Sequence, residues 1–250
     1  MKPKIAVIIP ARMASTRFPG KPLVSILGIP MIEHVRRRAS LCPDLAGVFV
    51  ATCDKEIEDA VKGYAGEVIM TSARHQRCTD RVAEAALLID ADIIINIQGD
   101  EPLVVPEMIT QVAGPLLEDK TCEYANLLCP IRTEEEFTSP NVIKAVVGIR
   151  GEILYFSRQP IPYAKAQKSL FGHRQLGIIA FTRQGLVSYS RFKETPLEKT
   201  ESIDMLRLLE NGLPVKAAFS ESALYEVDIP DDVAKVEALM KQDNLLKEYI

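Results

Sequence analysis

Ile5-Ala-Val-Ile-Ile-Pro-Ala-Arg-Met-Ala-Ser-Thr-Arg-Phe-Pro-Gly-Lys-Pro-Leu23 is the stretch from which the rest of the chain is read. Its opening, Ile5–Ile9, is apolar without a break and mostly β-branched, the pattern of a strand buried on both faces. Pro10, which has no N–H to give a ladder, ends that strand. Residues 10–30 then form a long polar, basic loop punctuated by Pro19, Gly20, Pro22, Gly28 and Pro30. A strand of this kind needs helices on both sides of its sheet, and the following sequence supplies them.

The spacing predicts a helix from about Met31 to Leu41 and a strand at Gly47–Ala51. Asp54 is placed to cap a helix whose Ile57, Val61 and Tyr64 recur at i, i+4 and i+7. A strand at Val68–Met70 follows, then a helix from about Thr79 with Val82, Ala86 and Ile89 on one face, then a second continuous apolar strand, Ile93–Ile97. Strands alternating with helices predict an α/β fold: an open, mainly parallel twisted sheet with helices on both faces. The second half is less regular. Residues 122–131, 142–156, 176–182 and 215–219 read as strands, 197–211 as a helix closed by Gly212, and a last helix starts at Pro230. The chain reads as one domain over 1–250 with a smaller lobe at about 132–196.

The chain has 250 residues, 47% of them apolar and 26% charged, enough for a packed core and a soluble surface. Its formal net charge of −4 argues against a nucleic-acid binder. No apolar run approaches the roughly 18 residues of a membrane helix, and Pro10 and Arg12 interrupt the only N-terminal candidate for a signal peptide. Five cysteines without a C-x-x-C pair fit free thiols in the cytoplasm. Three scattered histidines do not suggest a histidine metal site. The charge is unevenly spread. Residues 1–38 hold eight Lys/Arg against one acid, Glu33, which leaves 22 Lys/Arg against 33 acids in the remainder.

Part of that local excess sits where an α/β sheet binds ligands, outside the carboxyl ends of its strands. Arg12, Arg17 and Lys21, with the hydroxyls of Ser15 and Thr16, suit a polyphosphate, two planar forks and one point charge. The loop is neither a Walker A nor a G-x-G-x-x-G motif. A solvated basic loop is the alternative. Arg36, Arg37 and Arg38 fall on the predicted helix and read as a surface face. Asp100, in Gln98-Gly-Asp-Glu-Pro102, ends the second buried strand; it suits Mg²⁺ facing a phosphate, or a turn aspartate bonding local amides. Asp228 ends a strand before Pro230 and reads as a second such carboxylate or as a cap. Asp231 and Asp232 read as first-turn acids of the last helix. Spacing alone does not bring Asp100 and Asp228 together.

Taken in order, these segments resemble the sugar-acid cytidylyltransferases, in particular those acting on 3-deoxy-manno-octulosonate. The resemblance runs over essentially the whole chain. It is carried by Pro10–Leu23, Val50-Ala-Thr52, Thr71, His75-Gln76, Thr79-Asp-Arg81, Asn96–Pro102, Tyr155–Arg158, Pro160-Ile-Pro162, Leu176-Gly-Ile178, Pro196-Leu-Glu198, Leu206-Arg207 and Val227-Asp228. It implies that CMP passes from CTP to the anomeric hydroxyl of a sugar acid with release of pyrophosphate, for lipopolysaccharide or capsule synthesis. Ala11, Arg12, Ser15, Arg17 and Lys21 would handle CTP, and Thr71, Arg74, Thr79, Asp80 and Arg81 would line the nucleotide pocket. Asp100 and Asp228 would hold Mg²⁺. Lys21 and Arg12 would act with them in catalysis. Gln98 and Arg158 would bind the sugar acid, and the protein would be a cytoplasmic homodimer with no nucleic-acid or membrane partner.

The chain departs from the family pattern at a few positions. Arg77-Cys78 stands where Ser-Gly is usual, Gln175 where His is usual with His173 two residues earlier, and Asp204-Met205 where Glu-Gln is usual. The resemblance places Gln175, Asp204 and Met205 toward the sugar. A modified octulosonate (an 8-amino acid, for example), another ulosonic acid or a phosphonate are therefore the alternative acceptors.

Overall fold

The computed structural model describes residues 2–14, 18–163, 165, 172–222 and 224–250. The strands are β1 (Ile5–Pro10), β2 (Ser25–Ile26), β3 (Ile29–Pro30), β4 (Leu45–Thr52), β5 (Glu67–Met70), β6 (Ile93–Ile97), β7 (Tyr124–Pro130), β8 (Lys144–Val147), β9 (Ile153–Ser157), β10 (His173–Thr182) and β11 (Lys216–Phe219). The helices are α1 (Met31–Ser40), α2 (Lys55–Gly63), α3 (Cys78–Ala86), α4 (Pro106–Glu118), α5 (Glu134–Thr138), α6 (Arg183–Arg191), α7 (Pro196–Glu201), α8 (Leu206–Glu210) and α9 (Pro230–Gln242). The chain divides into two compact units, Met1–Thr110 with Leu224–Ile250, and Gln111–Ala223. No helix among the described residues is long and apolar enough to cross a membrane.

The first unit is built on four parallel strands in the order β6-β1-β4-β5. Ala6–Pro10 and Ile93–Ile97 are buried at every position, so both faces of these strands are covered, as their unbroken apolar runs require. The carboxyl ends of all four strands lie along one edge, where Ala11, Cys53, Thr71 and Gln98 begin the loops. Behind the basic loop, the short β2–β3 ribbon packs with α1 and α9 around Ile26, Met31, Val227, Val236 and Met240. The C-terminal helix thereby fixes both the loop and Asp228.

The arginines of α1 are not a solvated face. Glu33, fully buried, accepts from Arg36 and Arg37, and Arg38 is itself buried. Arg38 donates to Val104 O (2.7 Å) and to Asp243 (2.5 Å). A helix packed on the sheet with its charges turned inward has to pair them, because an unpaired buried charge is costly. Tyr64 also departs from the predicted core face. Ile57 and Val61 are buried, whereas Tyr64 lies beyond the end of α2, exposed beneath the Arg37 guanidinium.

The second unit has strand order β11-β7-β10-β8-β9, antiparallel except for β11 on β7. The single strand expected over 142–156 is a hairpin, β8–β9, turning through Gly151 at φ 78°. The single helix expected over 197–211 is two helices, α7 and α8, parted at Ser202, which is left-handed with φ 54°. Glu198 and Arg207 form a buried bidentate pair across the break (2.9 and 2.7 Å), with Arg207 lying over the Tyr189 ring. Gly212 follows α8 with φ 73° and its N–H on Leu209 O, as a C-terminal glycine should.

Candidate active site

Three segments distant in sequence meet at the edge of the first unit. After β1, Ala11 N donates to Ala51 O (2.9 Å), which keeps the chain against β4 for one more residue. Met13 N then donates to Asp54 Oδ2 (2.7 Å). Asp54 stands at the N-cap position of α2 as expected, but its carboxylate bonds this loop and makes no cap bond. Gly20, at φ 72°, lets the loop turn back, with its N–H on Met13 O, into the 3₁₀ turn Lys21–Leu23.

That turn delivers Lys21 to two carboxylates. Its Nζ lies 2.6 Å from Asp100 Oδ2 and 3.6 Å from Asp228 Oδ1. Asp100 reaches this point because Gly99 runs tight against β1; a Cβ there would sit 2.9 Å from Pro10 O and 3.1 Å from Ile32 Cδ1. Asp228 is registered by Val227 N on Asp100 O (3.1 Å), and its own N–H is held by Asp232 Oδ2 (2.9 Å). Asp232 thus performs the helix-terminal role expected of it, accepting from the N–H groups of Asp228 and Ile229, while an Asp228 carboxylate oxygen lies near Lys21. Two carboxylates from separate loops converge on one cation.

This donor set fits Mg²⁺. Among the described residues no group of three or more His, Cys, Asp or Glu side chains gathers as a complete protein cage. Mg²⁺ does not need one, since it takes one or two carboxylates and completes its shell with phosphate and water.

On the neighbouring strand ends, Thr71 continues from β5 with its N–H and hydroxyl on Thr52 O (2.8 and 3.1 Å). Arg81 is almost wholly buried and bonds Thr71 Oγ1, Ser72 O and Cys53 Sγ. It therefore braces the loops after β4 and β5. Thr79 is fully buried in α3, Asp80 is half-buried in its first turn, and Arg74 is exposed. Arg12 is exposed beside the loop, Ala11 is buried, and Ser15 and Arg17 lie outside the described residues. Arg77 takes the N-cap position of α3 without a capping side-chain bond, and Cys78 opens the helix.

Of the residues assigned to the sugar acid, Gln98 is half-buried in the first unit, in the turn that carries Asp100. The others belong to the second unit. Arg158 is held by three carbonyls, Glu201 (2.6 Å), Pro140 (2.9 Å) and Ser202 (3.4 Å), which occupy three of its five N–H groups. Gln175 donates its side-chain amide to Asn126. Asp204 is half-buried in the break between α7 and α8. Met205 is fully buried, so its side chain offers no surface to a ligand and fills the core of this unit.

Sequence reasoning missed Asp54 as the anchor of the loop, Lys144 and Asn126. Lys144, fully buried, donates to Ser139 O, Val142 O and Arg158 O and so ties Arg158 to β8. Burial lowers its pKa below the ordinary lysine value. The available signal was a polar residue inside a buried strand run, as at Asn126 in Tyr124-Ala-Asn-Leu-Leu.

The cytidylyltransferase family model matches residues 6–222. The 3-deoxy-manno-octulosonate cytidylyltransferase of Geobacter metallireducens is 41% identical over 93% of this chain and 96% of its own. That of Myxococcus xanthus is 44% identical over 95% and 97%. A solved CMP:2-keto-3-deoxy-manno-octonic acid synthetase complexed with CTP superposes with a TM-score of 0.90 at 39% identity, covering 96% of this chain and 99% of that one. A family model spanning most of the sequence and relatives 41% and 44% identical over nearly the whole chain lead to one conclusion: the chain belongs to the cytidylyltransferase family.

Proposed function

We propose that the protein transfers CMP from CTP to the anomeric hydroxyl of 3-deoxy-manno-octulosonate and releases pyrophosphate. The observation that carries this reading is the Lys21–Asp100–Asp228 cluster at the carboxyl edge of the parallel strands. The likeness to a CTP-bound synthetase and to octulosonate enzymes over nearly the full chain supports it, and favours the unmodified acid over the alternatives. Homodimerisation, a cytoplasmic location and a place in lipopolysaccharide or capsule synthesis belong to the same proposal.

Transfer at phosphorus calls mainly for positioning and charge stabilisation. In this reading the oxygen of the anomeric hydroxyl bonds to the α-phosphorus, the bond to the bridging oxygen breaks, and the hydroxyl proton is lost to solvent. Arg12, Arg17 and Lys21 offset charge on the phosphates as pyrophosphate departs. Ala11, Thr71, Arg74, Thr79, Asp80 and Arg81 form the nucleotide side, with buried Arg81 and Thr79 shaping it from behind. Asp100 and Asp228 would hold Mg²⁺. When bound, the ion supplies charge neutralisation at phosphate oxygens and eases ionisation of the attacking hydroxyl. Gln98 and Arg158 engage the sugar acid, the two uncommitted N–H groups of Arg158 suiting its carboxylate.

A coupled pyrophosphate assay with CTP, Mg²⁺ and a panel of acids tests the reading. Release with 3-deoxy-manno-octulosonate well above that with an 8-amino octulosonate, a nonulosonate or a phosphonate is expected. A stronger response to one of the others would replace the acceptor, and CTP binding with no release for any acid would indicate a nucleotide-binding regulator.

A further inference from the structure

Asn126 lies in the middle of β7 and is fully buried. Its amide nitrogen donates to three main-chain carbonyls, Leu127 (3.1 Å), Leu176 (3.0 Å) and Ile178 (3.2 Å). These contacts fall where the β7–β10 register shifts between Gln175 and Ile179, so the amide bonds carbonyls at the irregularity of the ladder. Carbonyl oxygens only accept. The atom facing them is therefore the NH₂, and the other, Oδ1, is left to accept. What it accepts is Gln175 Nε2.

One amide thus sets the polarity of the next. Gln175 turns its NH₂ inward to Asn126, and its Oε1, which has no partner among the described residues, is what this partly exposed side chain presents. The strand register puts Gln175 in line with Arg158. Arg174 pairs with Lys144 across β10–β8, and Lys144 pairs with Ser157 across β8–β9, so Gln175 and Arg158 each follow a partner of the same lysine.

Resting on the octulosonate reading above, we propose that Asn126 is a positioning residue that makes position 175 an obligate hydrogen-bond acceptor toward the sugar acid. The enzyme then favours an acid with a hydroxyl or other donor facing Gln175 and rejects one lacking it. A histidine placed at position 175 of this chain would meet the same Asn126 Oδ1. An imidazole giving one N–H to Asn126 Oδ1 offers its other nitrogen as an acceptor only while neutral. Glutamine keeps the acceptor and removes the titration.

Replacing Asn126 endangers the irregular ladder it supports, so the test is placed on its partner. Initial rates are measured with saturating CTP and varied sugar acid, from pH 5.5 to 8.5, for wild type, Gln175→Met and Gln175→His. Gln175→Met is expected to lower kcat/KM for the sugar acid about tenfold or more, the scale of one lost hydrogen bond to a substrate, with the KM for CTP within about twofold. Gln175→His is expected to restore most of that loss at pH 8 and to lose it again as pH falls through about 6.5. Wild type should lack that added transition. His173, two residues away, and the other charged groups around the site (Lys144, Arg158, and Arg174 paired with Glu136) are common to all three proteins, so the wild-type profile is their control. An unchanged kcat/KM in Gln175→Met, or a Gln175→His profile parallel to wild type, overturns the proposal. If wild type turns over a different acid and not octulosonate, only the acceptor reading fails, and the same variants decide the role of Asn126 with that acid.

Discussion

Replacing Asp100 with Asn keeps the volume of the side chain and removes one negative charge 2.6 Å from Lys21 Nζ. The effect on folding is expected to be small. A hydrogen bond to a charged group is worth about 1.5–3 kcal/mol when sheltered. Here Lys21 and Asp100 are 13% and 27% exposed and Asp228 remains 3.6 Å from the ammonium, so solvent and the second carboxylate take up part of the loss. About 1 kcal/mol is expected, a shift of roughly 2–4 °C in Tm for a chain of this size. The contact of Asp100 O with Val227 N belongs to the backbone and survives the substitution. The effect on turnover is expected to be much larger, because the proposed function puts this carboxylate pair at the reacting phosphates and half of it is gone. Loss of one charge-stabilising group costs about 2.7–4 kcal/mol in the transition state, or 10²–10³ in kcat. Thermal melting and pyrophosphate release on the same preparation separate the two effects. A kcat within tenfold of wild type, or activity lost only in proportion to unfolding, would refute the catalytic role.

Asp54→Ala should free Met13 N and unfasten the basic loop, raising the KM for CTP about tenfold with little change in Tm; an unchanged KM would show that the loop is set without this anchor. Arg38→Met should lower stability by about 3 kcal/mol, the lower end of the cost of breaking a buried ion pair, because Asp243 keeps 29% exposure. Urea unfolding measures it, and a loss below 1 kcal/mol would return Arg38 to the surface role its sequence suggested. Burial holds the His34 imidazole neutral, its pKa below the ordinary value, with Nε2–H on Ile26 O and Nδ1 accepting from Tyr249. The unfolded chain takes up that proton near pH 6.5 and the folded chain does not, so this contribution to stability is full above about pH 6.5 and declines on acidification below it. Unfolding free energies from pH 7.5 to 5 should show a shallower slope in His34→Gln, and equal slopes would contradict the assignment.

The first unit was legible because its information is local. A strand covered on both faces must be apolar at consecutive positions, and Ile5–Ile9 and Ile93–Ile97 declare this without reference to anything else. The expectation of a site at the strand ends followed from topology. What stayed hidden depends on distant partners. Asp54 looks like a cap from its neighbours alone, yet its carboxylate bonds Met13, 41 residues away. Three successive arginines look solvated until Glu33 and Asp243 are seen beside them. The break at Ser202 contains neither Gly nor Pro, so helical periodicity ran straight through it, and Met205, read as facing the sugar, has a fully buried side chain. Asp100 and Asp228 were each open to a bland reading. Only their common contact with Lys21 shows them as a pair.

The central claim, that this chain joins CMP to a 3-deoxy-manno-octulosonate through chemistry centred on Lys21, Asp100 and Asp228, is tested most directly by following phosphorus. The purified protein is incubated with CTP, Mg²⁺ and the acid, and ³¹P spectra are recorded with Asp228→Asn in parallel. The account predicts that the α-phosphorus signal of CTP converts to a phosphodiester as pyrophosphate appears in equal amount, and that the variant converts at least about a hundredfold more slowly. Unchanged CTP with the wild-type protein, or equal conversion by the variant, would contradict it.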